Sequence, residues 1–254
     1  MKTSNKAPRF FIAEKIYDES LSENKLIISD EKIIHQIKNV LRKKEGESVV
    51  ILDGRGSEFF GTIFELSKKE IKIEKDKINF YEKDNFERDI TEIILAPAIL
   101  KKDNFEFVMQ KCTEIGVKNF QPIISERTEK DNLNFERLEK ITKEASEQSE
   151  KIFLPEIFQT KKLEEFLTEK TNNLSNESNF KIFALEFSFK KYEFSKFRKI
   201  TGEIIFLIGP EGGWGEEDLK LFEKFNVEKV SLGSQILRAE TASISLATLL
   251  LLGE

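Results

Sequence analysis

The spacing of apolar positions changes near residue 90 and divides the chain in two. Before that point short apolar runs alternate with turn residues. Lys25 to Ser29 reads as a strand, Val49 to Leu52 and Glu58 to Leu66 flank the turn Asp53-Gly54-Arg55-Gly56, and Ile71 to Ile78 supplies another strand. One helix interrupts them: Asp30 is placed to cap it, Ile33, Ile34, Ile37, Val40 and Leu41 recur at helical spacing, and Gly46 ends it. The pattern predicts a small β-barrel over residues 1–75. Lys75 to Asp89 is charged and has no period, which puts a linker at residues 76–89.

Beyond the linker, strands and helices alternate. Glu92 to Ile99 is an apolar strand, followed by a helix that Asp103 caps, that buries Phe105, Val108, Met109, Cys112 and Ile115, and that Gly116 stops. Phe120 to Ile124 reads as one buried strand. A helix from about Asn134 to Glu150 carries Phe135, Leu138, Ile141, Ala145 and Gln148 on one side, another begins at Leu163, and Thr171 to Asn179 is a polar surface loop. Three more apolar strands follow, Lys181 to Leu185, Ile204 to Ile208 and Lys229 to Leu232. Each leads into a loop or helix, so residues 90–254 form an α/β domain with a mainly parallel sheet.

Composition narrows the function classes. With 39% hydrophobic and 34% charged residues the chain is globular, and its single cysteine, Cys112, excludes an internal disulfide and a cysteine-built metal site. The longest apolar stretch, Ile244 to Leu252, is too short for a bilayer, and the start lacks a signal-like run, so a soluble cytoplasmic protein is expected. The net charge of -5 conceals an asymmetry, since residues 1–44 hold ten Lys/Arg against six Asp/Glu. In that basic end His35, Lys38 and Arg42 fall at i, i+3 and i+7, a ridge able to follow a phosphate backbone or, equally, a solvated face.

Ligands of open α/β sheets collect at the carboxyl ends of strands, and two of the last three exits are unusual. After Ile208 come Gly209-Pro210-Glu211-Gly212-Gly213-Trp214, in which the glycines allow close backbone approach and the proline fixes the chain. Neither a dinucleotide nor a phosphate-loop motif is present, and a plain turn is the alternative. After Leu232 come Gly233-Ser234-Gln235-Ile236-Leu237-Arg238-Ala239-Glu240-Thr241-Ala242. Arg238 and Glu240 stand among apolar residues, which predicts burial with either a ligand or each other as the compensating partner.

IGPEGGW at Ile208 to Trp214 and LGSQILRAETA at Leu232 to Ala242 resemble the two signature loops of the 16S ribosomal RNA uridine-N3 methyltransferase (RsmE) family of the SPOUT superfamily. Arg9-Phe10-Phe11, the His35 to Arg42 helix, Gln110 to Val117 and Glu144 to Ser149 agree in order, so the resemblance covers nearly the whole chain. It implies an N-terminal PUA-like barrel, a C-terminal SPOUT domain tied in a trefoil knot, a homodimer, and S-adenosyl-L-methionine (AdoMet) as methyl donor. Residues implied to hold the donor are Leu185, Glu186, Ile208, Gly209, Pro210, Glu211, Gly212, Gly213, Leu232, Gly233, Ile236, Leu237 and Ala242. Arg238, Glu211 and Glu240 are the candidates for chemistry, and Arg9, Phe10, His35, Lys38 and Arg42 for gripping RNA of the small ribosomal subunit; no metal is expected. Gln235 and Glu150-Lys151 stand where the family usually has Arg and Gly-Arg. Methylation of another rRNA or tRNA base or ribose, or a non-catalytic assembly factor, are the rival readings.

Overall fold

A computed structural model describes residues 7–12, 25–81, 92–101, 103–172, 180–187, 197, 200 and 202–252. The chain divides into two compact units, Met1–Arg88 with Ser146–Leu154, and Asp89–Ala145 with Pro155–Glu254.

The first unit is one five-stranded sheet in the order β1-β3-β4-β5-β2, built from β1 (Arg9–Phe11), β2 (Lys25–Ile28), β3 (Ser48–Leu52), β4 (Ser57–Leu66) and β5 (Ile71–Phe80). β1 runs parallel to β3 and the other pairs are antiparallel. The pleat sends alternate residues of β3 to opposite faces. Val49 and Ile51 join Ile63, Ile71 and Ile73 over helix α1 (Glu31–His35), while Val50 and Leu52 meet Phe11 and Ile152. The strands therefore bury both faces, and the segment Ser146–Leu154 contributes to the second.

Two expectations change here. β5 continues to Phe80, through what the sequence reads as the start of the linker. Beyond Glu74 it pairs with β4 alone, because β2 reaches only from Ile71 to Glu74, so its outer positions meet solvent and carry charges instead of an alternating pattern. Residues 82–89 of that linker lie outside the described residues.

The helix also ends well before Gly46. The Asp30 carboxylate does cap it, accepting from Lys32 N at 2.8 Å and Ile33 N at 3.3 Å. Past His35, however, the turns widen to a π-helical stretch, Gln36–Val40, and Arg42 takes the left-handed conformation (φ 52°) while Lys43 N donates to Ile37 O at 3.0 Å. The widening rotates Val40 (62% exposed) and Leu41 (44%) out of the core their spacing assigned them to.

The second unit has a six-stranded, all-parallel sheet in the order β13-β11-β12-β6-β7-β9, comprising β6 (Glu92–Pro97), β7 (Asn119–Phe120), β9 (Glu156–Ile157), β11 (Phe180–Leu185), β12 (Glu203–Ile208) and β13 (Glu228–Val230). Its strands are continuously apolar because both faces are covered. Leu95, Phe183 and Phe206 point to one cluster with Phe105, Val108 and Cys112 of helix α2 (Asn104–Ile115) and Leu246 of the C-terminal helix. Ile94, Ile182, Ile205 and Leu207 point to the other, with Leu163 and Phe166 of helix α4 (Leu163–Asn172) and Phe222 of helix α5 (Glu216–Lys224). Helix α3 (Phe135–Gln148) and the C-terminal helix α6 (Ala239–Leu251) complete the helices.

The strand expected at Phe120 to Ile124 is split. Pro122 has no N–H for a ladder, and β8 (Ile123–Ile124) leaves the main sheet to pair with β10 (Lys161–Lys162). Asp103 stands at the N-cap of α2 without a side-chain cap bond. Of the polar loop expected at Thr171 to Asn179, Thr171 and Asn172 still belong to α4 and the rest lies outside the described residues.

Two local features carry expected outcomes. Burial pushes the Cys112 thiol up to about 12, so about one molecule in ten thousand is thiolate at pH 8. Labelling by a disulfide reagent is therefore expected to follow global unfolding, measured against denaturant; fast labelling of the native protein would contradict the burial. After α3, Glu150 takes φ 57° while Lys151 N donates to Ser146 O at 2.9 Å, a helix-ending motif that favours glycine at the left-handed residue. Glycine is the residue that the resemblance read from the sequence implies at this position. Glu150→Gly is expected to stabilise the protein by roughly 0.5–1 kcal/mol, the relief of left-handed strain exceeding the entropy lost, as read from denaturant midpoints.

Candidate active site

Strand register brings the three unusual exits side by side. In the parallel ladders Leu185 is paired with both Ile208 and Val230, so β11 ends between β12 and β13, and Glu186 N continues the pairing to Val230 O at 2.9 Å. The loops that follow the three strands must share one rim.

The loop after β12 is fixed from two directions. Gly213 N donates to Pro210 O at 2.9 Å, closing a tight turn that leaves Gly213 at φ 69°, where a side chain would be strained. Trp214 folds back across the strand ends: its Nε1 donates to Leu185 O at 2.9 Å, and its ring lies so near Gly209 that a Cβ there would sit 3.2 Å from it. Gly209 is thus a glycine for space. The indole fastens the exit of β12 to that of β11.

Behind this loop, the first turn of α5 is held by residues from elsewhere in the same unit. The Glu126 carboxylate accepts from Glu217 N at 2.8 Å, and Asp218 accepts from Gly215 N at 2.9 Å and Glu126 N at 3.1 Å. Burial holds the Asp218 carboxyl above its ordinary range, with the neighbouring Glu126 charge acting the same way and the two N–H donors opposing. Arg127 donates to Gly212 O at 2.9 Å, so the β8 exit braces the glycine loop.

The loop after β13 turns on Ser231, whose Oγ lies 3.0 Å from Gly233 O and accepts from Gly233 N at 3.2 Å, with Gly233 at φ 139°. It then runs outward to α6. Ile236 is 82% exposed and Leu237 36%, and Arg238 is exposed as well, contrary to the burial that their apolar neighbours suggest. The segment forms the lip of a cavity and has only one wall to pack on, which is why apolar character here does not imply burial. The ion pair between Arg238 and Glu240, one of the two compensations the sequence leaves open, is not formed, and among the described residues neither side chain has an ion-pair partner.

The cavity enclosed by these loops measures about 680 Å³, within the range of small-molecule sites. Its wall includes Leu185, Glu186, Ile208, Gly209, Pro210, Glu211, Gly212, Gly213, Leu232, Ile236, Leu237 and Ala242, together with Arg238 and Glu240. Gly233 alone among the candidates for donor or chemistry is outside the wall, where it shapes the turn beside Ser231. The wall also holds Trp214, Ser231, Gln235 and Ala239, which belong to the two exits but have no implied part in holding the donor, and Asn104 and Phe187, which the sequence does not single out. Phe187 could have been found, since it lies two residues past the end of β11. Asn104, at the start of α2, carried no signal.

The carboxylates of the wall differ. Glu211 Oε1 accepts from Lys101 N at 2.9 Å, and Glu186 lies 3.4 Å from the Lys229 ammonium. Glu240 Oε2 is buried without a hydrogen-bond partner among the described residues. Those residues contain no group of three His, Cys, Asp or Glu placed to hold a metal ion.

In the first unit the candidates for an RNA grip separate. Arg9 is engaged by the buried Glu58, Nη2 to Oε1 at 2.5 Å, and Glu58 also accepts from Asn79 and the Tyr81 hydroxyl, so the Arg9 charge is already neutralised. Phe10, 1% exposed, is a core residue and offers no stacking face in this structure. His35 and Arg42 are exposed and Lys38 half-buried, but the π-helical turn and the left-handed Arg42 break the single ridge that ideal helix spacing predicts.

Comparison with known proteins identifies the family. A family described as RNA methyltransferase domain matches residues 87–251, and one described as RNA methyltransferase PUA domain matches residues 28–76. Ribosomal RNA small subunit methyltransferase E of Rickettsia conorii is 31% identical over 94% of this chain and 96% of its own length, and that of Mesomycoplasma hyopneumoniae is 31% identical over 94% and 97%. The crystal structure of ribosomal RNA small subunit methyltransferase E from Neisseria gonorrhoeae, bound to S-adenosyl methionine, superposes with a TM-score of 0.76 at 25% identity, covering 96% of each chain. With both domains matched in order and relatives aligned along almost their full length, the chain belongs to the ribosomal RNA small subunit methyltransferase E family of RNA methyltransferases.

Proposed function

We propose that this protein transfers the methyl group of AdoMet to N3 of a uridine in 16S ribosomal RNA of the small ribosomal subunit. The observation that carries the proposal is the cavity at three adjacent strand ends, walled by the Gly209 to Trp214 loop and the Ile236 to Ala242 segment. Its residues fit the donor. The glycine loop exposes backbone groups at close range, the aliphatic lip suits an adenine or thioether face, and the carboxylates in the wall favour a positively charged ligand. Leu185, Ile208, Leu232 and Leu237 would hold its apolar parts, and the Pro210 to Gly213 turn its polar ones.

When bound, AdoMet supplies an electrophilic methyl on a sulfonium centre. The uracil N3 carries a proton and is a poor nucleophile until that proton leaves, after which negative charge spreads to O2 and O4. Arg238, exposed and without an ion-pair partner among the described residues, is free to donate to one of those oxygens. Glu211 has one carboxylate oxygen on Lys101 N and the other available to accept the N3 proton. With both substrates bound, the loops would position the base against the donor and so lower the entropic barrier to a two-substrate reaction.

A cytoplasmic homodimer knotted through the same exits completes the proposal. No helix of the described residues is long and apolar enough to cross a membrane. Support for the dimer comes from the C-terminal end of α6, where Leu249 and the following Leu252 are exposed as large apolar side chains are when another surface is meant to cover them.

RNA binding is assigned to Lys38, Arg42 and His35 of the first unit. The double variant Lys38→Ala/Arg42→Ala is expected to weaken RNA binding and to reduce the slope of log K against log salt by about 1–2, since each lost phosphate contact removes about one released counterion. An unchanged slope in filter binding would take this surface out of the interface. The reaction itself is tested by incubating the protein with tritiated AdoMet and small subunits that lack the modification, then separating nucleosides: label in 3-methyluridine is expected, and label in a 2′-O-methyl nucleoside or none would overturn the proposal.

A further inference from the structure

The cavity wall is acidic, with Glu186, Glu211 and Glu240 among its residues and a single guanidinium, Arg238. Three carboxylates against one cation suit a cationic small molecule and oppose a phosphate. They are not equivalent, however. Glu186 sits within 3.4 Å of the Lys229 ammonium, and Glu211 is exposed and tied by one oxygen to Lys101 N. Glu240 alone couples a sealed oxygen to the lack of any partner: Oε2 is inaccessible and accepts no hydrogen bond among the described residues, and no ion pair with Arg238 relieves it. Its place in the first turn of α6 favours a negative charge there through the helix dipole, yet that does not satisfy a desolvated oxygen.

A buried, unpaired carboxylate oxygen is costly, and a positive charge placed in the adjoining cavity relieves the cost across the poorly screened protein between them. We infer that Glu240 makes the pocket selective for the charge of the donor, so that the sulfonium form is held more tightly, relative to the neutral thioether product, than the shape of the pocket alone would provide. This rests on the AdoMet reading of the cavity and adds to it a direction for turnover. Loss of the methyl removes the positive charge at sulfur, and with it the partner of Glu240, so the spent product is released from a site that its precursor satisfied.

The test is calorimetric titration of the full-length protein with AdoMet, sinefungin, which carries an ammonium where the sulfonium stands, and S-adenosylhomocysteine, which carries no charge there. Glu240→Gln keeps the shape and removes the charge. It is expected to weaken AdoMet and sinefungin by about tenfold while changing S-adenosylhomocysteine by less than about twofold. Because the substitution also removes an unpaired buried charge, the ligand-free variant is expected to unfold at a higher temperature than the native protein. Glu216→Gln, an exposed carboxylate of α5 outside the cavity wall, is the comparator and should leave the ratio of the three affinities unchanged. Equal weakening of all three ligands by Glu240→Gln, an equal collapse of the ratio in Glu216→Gln, or a lowered unfolding temperature in Glu240→Gln each overturns the inference while leaving the donor site intact. Failure of the native protein to bind any of the three overturns the donor site and the inference together.

Discussion

Arg238→Ala is expected to lower kcat by about a hundredfold or more, equivalent to about 3 kcal/mol of transition-state stabilisation, with the affinity for AdoMet little changed. The expectation follows from where the guanidinium stands. It lies in the cavity wall, exposed and without an ion-pair partner among the described residues, and as the N-cap of α6 it makes no side-chain cap bond. Truncation therefore removes little that holds the fold, and its effect on stability should stay within about 0.5 kcal/mol. A structural arginine would behave in the opposite way, with a lowered unfolding midpoint and a turnover that falls only as protein is lost. Single-turnover rates and thermal melts on the same preparation separate the two, and native turnover in the variant would remove Arg238 from the chemistry.

Gly209→Val is expected to weaken AdoMet binding by about tenfold or more and to destabilise the protein by about 1–3 kcal/mol. A Cβ at this position would already lie 3.2 Å from the Trp214 ring, and the two branches of valine need more room than a shift of a few tenths of an ångström provides. The indole would have to move, and it holds Leu185 O through Nε1. One substitution thus loosens the exits of β11 and β12 together. Calorimetric titration and denaturant melts measure the two effects, and native affinity in the variant would mean that the Trp214 clasp does not shape the donor site. The two variants should therefore separate, one losing rate at native affinity and the other losing affinity.

How far the sequence anticipates this molecule depends on the range over which each feature is determined. The glycine loop and the Arg238 segment are recognisable because a parallel sheet delivers strand ends to one rim, and their residues do line one cavity. The apolar runs of β11 and β12 are equally readable, since a sheet covered on both faces needs them. Features set by distant partners are not. Glu126 caps a helix that begins ninety residues later, and nothing near either one in the sequence indicates it. Arg9 and Phe10 look like an RNA-facing pair until Glu58 and the core claim them. The His35 to Arg42 ridge assumes 3.6 residues per turn, and a π-helical turn removes that premise. Ile236 and Leu237 are apolar and yet exposed, since a cavity lip is built for contact with something other than its own chain.

The most direct test of the donor site is a crystal structure of the protein soaked with S-adenosylhomocysteine. The account predicts the ligand between the Ile208 to Trp214 loop and the Leu232 to Ala242 segment, with backbone groups of Pro210 to Gly213 contacting its polar parts. Saturating ligand with that cavity filled by the protein's own side chains, or with the ligand bound elsewhere on the molecule, would contradict it.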